Sequence, residues 1–184
     1  MFDTKELRDR SVIVLDAAVD VLAGEDPAVM RSGVVADQVV DLARLIDRLQ
    51  VEWWRRVGEL DARDHHRVDG AVSTAAWIRW RCRTTVAKAR LAVATARALR
   101  AMPLTAGAGA CGEVTAAHVE VLATAHHRHL DAFATAEETL VDAAASHTVA
   151  ELRRLIAYWD PEPRPRRGHR RRRRGVRPAA AVLV

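Results

Sequence analysis

Apolar residues recur along most of this chain in steps of three and four, the spacing that gathers side chains on one side of an α-helix. The clearest series is Val35, Val39, Leu42, Ile46, Leu49, Trp53, Val57 and Leu60. It predicts a helix of about 26 residues, roughly 39 Å long, whose seam lies close to the 3.5-residue period that lets long helices run side by side. Such a seam serves as intramolecular core or as a dimer contact. Asp41, Arg44, Asp47, Arg48, Glu52, Arg55 and Arg56 occupy the other side. On this register Trp53 belongs to the seam, and Trp54 to a flank that must be covered or form an interface. An earlier helix carries Leu7, Val14, Leu15, Ala18 and Leu22; Asp3 and Glu6 have capping-box spacing at its start, and it stops near Gly24.

Downstream, a polar loop from Asp61 to Gly70 leads to a short helix with Trp77, Ile78 and Trp80, capped by Ser73. A tight break at Arg81-Cys82-Arg83 follows, then a second helix capped by Thr84 and stopped by Pro103. Short helix, tight turn and longer helix give a helix-turn-helix outline. After one loose turn or short helix before Gly112, Thr115 caps a helix with Val119, Leu122 and His126, and another runs from about Asp131 to Ala145. Thr148 and Glu151 form a capping box for a last helix ending at Pro161. Thr85, Thr115 and Thr148 each begin a Thr-x-Ala run at spacings of 30 and 33 residues, which either marks stacked helical units or reflects chance in an alanine-rich chain. No segment alternates as a strand, so the predicted class is all-α: a multi-helix bundle with one long N-terminal helix, helix-turn-helix-like segments and a disordered Arg-rich C-terminal tail.

Composition sharpens this. The 184 residues include 35 alanines, the best helix former, but only 2 lysines against 27 arginines, and no asparagine. The net charge of +5 is unevenly spread: residues 1–69 carry −5, 70–112 carry +7 with no acidic side chain, 113–160 carry −5 and 161–184 carry +8. The expected domains are therefore a helical body, 1–160, and an Arg/Pro-rich tail, 161–184. There is no basic-then-apolar leader and no apolar run long enough for a bilayer, so no membrane contact is expected and the cytoplasm is the expected location.

Several motifs occur in a fixed order: Asp69-Gly-Ala-Val-Ser-Thr-Ala-Ala-Trp77, Thr84-Thr-Val-Ala-Lys-Ala-Arg90, Ala98-Leu-Arg-Ala-Met-Pro103, Cys111-Gly-Glu-Val-Thr-Ala-Ala-His118 and Thr148-Val-Ala-Glu-Leu-Arg153. Over roughly residues 10–160 this order resembles the domain of unknown function 222, the 13E12 repeat family. The resemblance implies a helical domain that usually lies N-terminal to an HNH endonuclease module, which holds a divalent metal and cuts DNA. That module needs a water-activating histidine, an orienting Asn and metal-binding His or Asp, often with CxxC pairs. This sequence has neither Asn nor CxxC, so no nuclease activity, metal or cofactor is expected.

The segment 70–112 supplies the binding candidates Arg79, Arg81, Arg83, Arg90 and Arg97. Arg90 and Arg97, seven apart, share a side of the second helix, and Lys88 faces away. Trp77 and Trp80 brace the turn or stack on a base. Against this, the acidic flanks can neutralise the arginines, and neighbouring Val86, Ala87, Val93 and Ala94 allow their stems to pack within the fold. His118, His126, His127 and His129 lack the i, i+4 spacing of a helical metal pair, His65-His66 reads as loop, and Cys82 as an incidental thiol. The tail is either a nonspecific phosphate binder or, given its GC-rich coding character, a frameshifted or truncated end. Two functions stand: a non-catalytic DNA-associating domain, with weak salt-dependent contacts, or a self-association module that forms a homodimer through the Val35 to Leu60 helix.

Overall fold

The computed structural model describes residues 10–160; the Asp3–Glu6 cap and the tail 161–184 lie outside them. Eight α-helices follow in order: α1 Arg10–Ala23, α2 Ser32–Ala62, α3 Thr74–Arg81, α4 Val86–Leu99, α5 Pro103–Cys111, α6 Ala116–Arg128, α7 Leu130–Ser146 and α8 Val149–Trp159. The fold is all-α as predicted. No helix among the described residues is long and apolar enough to cross a membrane.

Local cap chemistry sets most boundaries. Ser73 accepts a hydrogen bond from the Ala76 N–H, and Thr148 and Glu151 close a reciprocal capping box. Thr85, rather than Thr84, caps α4 by accepting from the Lys88 N–H. At α6 the third member of the box is His118: its Nδ1 accepts from the Thr115 N–H, leaving Nε2–H to donate to the His147 carbonyl at 3.0 Å. All three threonines of the Thr-x-Ala echo are thus helix N-caps. The loose turn predicted before Gly112 is the nine-residue α5, started by Pro103.

The core gathers around α4, which packs on α2, α3 and α6, while α7 and α8 close over α6. Phe133, Ile78, Met102, Leu122 and Leu152 are its largest fully enclosed side chains; burying each contributes about 1.5–3 kcal/mol. Close approaches need small residues: a Cβ on Gly58 would lie 3.3 Å from the Ala96 carbonyl oxygen, and one on Gly109 would lie 3.0 Å from Val51. Buried Glu137 stands in the α7 stripe between Phe133 and Leu140 and accepts from both the N–H and the hydroxyl of Thr105, at 2.8 and 2.9 Å.

The long helix departs from its predicted register. The face buried against the bundle is Val51, Trp54, Val57 and Gly58, so Trp54, only 2% exposed, is the core tryptophan and Trp53 lies at its edge. Three helices, α4, α5 and α6, pack on α2 here, and their combined position, not the heptad seam, decides which side is inside. In the N-terminal half of α2 only the polar side, through Arg44 and Asp47, reaches α5 and α6. Val39, Leu42, Ile46 and Leu49 of the predicted seam are exposed, Ile46 by 64%. No residue of α1 is buried either.

Polar groups of α2 also fix a junction far along the chain. Arg48 and Arg44 donate to the Ala110 and Cys111 carbonyls at the end of α5, at 2.9 and 3.3 Å. Asp47 accepts from the Ala116 N–H at the start of α6, at 3.0 Å. Each charge complements the helix end that it meets. Between them Gly112 adopts a left-handed conformation, φ 78°, under the two arginines.

Candidate nucleic-acid interface

The short helix α3 is held by its own sequence motif. Gly70, at φ 71°, turns the chain, Asp69 accepts from Trp77 Nε1 at 2.7 Å, and the buried Thr74 hydroxyl meets His66 Nδ1 at 3.2 Å. The run from Asp69 to Trp77 therefore closes on itself as structure. Arg83 takes the left-handed conformation, φ 50°, and this break directs the chain from α3 into α4.

Arg79, Arg81 and Arg83 cluster at the C-terminal end of α3, where the helix dipole favours cations. All three are exposed, as is Arg90 on the next helix. Among the described residues, Arg79, Arg83 and Arg90 form no ion pair. The Arg81 guanidinium lies over Trp77 and Trp80, 5.7 and 5.4 Å from the ring centroids, an arrangement that holds its plane without consuming its charge. Trp80 remains 58% exposed.

Arg97 behaves differently. It donates twice to the Asp61 carboxylate, at 2.7 and 3.0 Å; that hydrogen bonding holds the Asp61 carboxyl below its usual range. The expected set of five arginines is thus four without a carboxylate partner and one internally paired. The packing of arginine stems within the fold is not observed for Arg90, which stands on the exposed stripe of α4 with Ala87, Ala94 and Arg97.

The helix-turn-helix outline is present, but α4 is the most enclosed helix of the bundle. Ala89, Ala92, Val93, Thr95, Ala96, Ala98 and Leu99 are all buried, so only one stripe of α4 meets solvent. That stripe carries Ala87, Arg90, Ala94 and Arg97.

Four histidines make contacts within the fold. His118 is a cap, His126 stands edge-on to Phe133 with centroids 5.4 Å apart, and His129 meets Asp160 at 2.8 Å. Burial lowers the His126 pKa from its ordinary value. His66 is buried against Thr74, and Cys82 and Cys111 are free and exposed. No group of three or more His, Cys, Asp or Glu among the described residues is placed to hold a metal. Sequence reasoning overlooked the Arg44–Asp47–Arg48 clamp and the Glu137–Thr105 pair. An acidic residue at a core position of α7 was the one available signal for the latter.

No curated protein and no solved structure matches the chain. The sequence profile described as Domain of unknown function (DUF222) matches residues 36–182. The matched span begins after α1 and continues through the Arg-rich segment, unlike the span of about 10–160 suggested by the motifs. It covers most of the sequence, and the chain therefore belongs to the domain of unknown function 222 family.

Proposed function

We propose that this chain is a non-catalytic helical domain that associates with DNA by holding its phosphate backbone with Arg79, Arg81, Arg83 and Arg90. The observation that carries this reading is the set of exposed arginines without carboxylate partners, on a segment that contains no acidic residue at all. The resemblance to the helical part of HNH nucleases supports it, and the absence of Asn and CxxC from the sequence supports the non-catalytic character. A cytoplasmic setting fits such a partner.

The test is a salt titration of duplex binding by the full chain and its Arg79→Gln/Arg81→Gln/Arg83→Gln/Arg90→Gln variant. Each lost phosphate contact lowers the slope of log K against log salt by about 0.9, so the slope should fall by roughly 3 to 4 units, whereas Arg97→Gln should leave it nearly unchanged. An unchanged slope in the quadruple variant would assign all binding to the Arg-rich segment and refute the reading. A second reading, self-association through the Val35 to Leu60 helix, is favoured by the uncovered side chains of its first half.

A further inference from the structure

We infer that two copies of this chain exchange their first helices, α1 of each lying along the uncovered N-terminal half of α2 in the other. The inference rests on the self-association reading and names its partner surface. Helix α1 has only Arg10, Ser11, Asp16 and Asp20 as polar positions, so apolar side chains cover most of its circumference. A helix of that kind is normally buried, and one of 14 residues is marginal in water without tertiary support. Yet none of its residues is buried in the single chain.

The uncovered stretch of α2 matches it. From Val34 to Leu49 the helix spans about 24 Å, against about 21 Å for α1. Between Val12 and Leu49 fifteen large aliphatic side chains are more than a third exposed. At roughly 50 Å² of recoverable apolar surface each, they present on the order of 700 Å² per chain. Summed over α1, the turn and α2, that approaches the roughly 800 Å² per partner of a stable interface.

The occupant is a second copy because this arm carries both the surface and the helix that would cover it, and a two-fold exchange closes without a third element. In the single chain α1 is not among the helices that pack on α2, and none of its residues is buried. Gly24 ends α1, Asp26 caps a 3₁₀ turn at Pro27–Val29, and Gln38 donates to Glu25 at 3.1 Å.

Sedimentation of the full chain over a concentration series tests this, using Leu15→Glu/Val19→Glu in α1 and Leu42→Glu/Ile46→Glu in α2. All four positions are exposed in the monomer, so helicity should remain; Ala versions of the same pairs serve if a Glu version unfolds. The expected result is a dimer whose Kd rises at least a hundredfold in either Glu variant and at least tenfold in either Ala variant. Mixing the two Glu variants should restore dimer, because one of the two exchanged contacts is then intact. A dimer broken by the α2 variant but not by the α1 variant would overturn the exchange and leave the α2 seam as the interface; failure of the mixture to dimerise would do the same. A wild-type monomer at all concentrations would overturn both the exchange and the self-association reading.

Discussion

Replacing Glu137 by Ala removes the carboxyl group that Thr105 needs. Thr105 is 0% exposed and Glu137 6%, so in the intact chain the two donated hydrogen bonds are shielded from bulk water. A buried donor left unpaired costs about 1–3 kcal/mol, and both the Thr105 N–H and its hydroxyl would be stranded. Relief of carboxylate desolvation offsets part of this, leaving a net loss of roughly 3 kcal/mol. A domain of this size has about 5–15 kcal/mol in total. Thr105→Val keeps the N–H bond and loses only the hydroxyl, for about 1–2 kcal/mol. The double variant should cost less than the sum of the two by about 1 kcal/mol, because the hydroxyl stranded by Glu137→Ala is already gone. Urea unfolding followed by tryptophan fluorescence and circular dichroism measures all three. A Glu137→Ala loss below about 0.5 kcal/mol, or strict additivity in the double variant, would show that this pair does not join α5 to α7 as described.

Three further outcomes follow from other contacts. Gly109→Ala should cost about 1–3 kcal/mol, since its new methyl would meet Val51 at 3.0 Å and Val119 at 3.3 Å; a neutral thermal melt would refute so close an α5–α2 crossing. Arg97→Gln should cost about 1 kcal/mol near neutral pH, a modest figure because Arg97 is two-thirds exposed. The lowered Asp61 pKa means that this contribution is present above the ordinary carboxylate range and is lost as pH falls through the folded value, so wild type and variant should converge in acid; a gap independent of pH would refute it. For His126, burial disfavours the charged ring, so its contribution is complete above the ordinary pKa of 6.5 and declines as pH falls below it. His126→Gln should lose less stability than wild type between neutral and mildly acidic pH, and parallel pH profiles would exclude this role.

The helices themselves were legible because their start signals are local. Ser73, Thr115 and Thr148 each place an oxygen against an N–H three residues ahead, a relation visible in sequence; the one-residue choice between Thr84 and Thr85 was not, since either hydroxyl can do it. The side of α2 that is buried was not legible. Trp53 and Trp54 are adjacent, and only the placement of α4, α5 and α6 makes the second one core. The arginine set shows the same limit: the sequence left Arg90 open between a surface position and a packed stem, and the partner of Arg97 lies 36 residues upstream, where no periodicity reports so distant a carboxylate. Alanines on both sides of α4 likewise conceal which side faces inward.

Buried alanines at Ala89, Ala92, Ala96, Ala98, Ala108, Ala123, Ala125 and Ala144 give this bundle an unusual profile of mutational tolerance. Most core positions of an ordinary domain fail by shrinking, because truncation opens a cavity. Here many positions are already near their minimum size, with neighbouring backbones drawn in to meet them, and added volume has little room to go. A random substitution library would therefore lose core variants chiefly to enlargement, and selection for greater robustness would find its gains away from the crossings of α2 with α4 and α5.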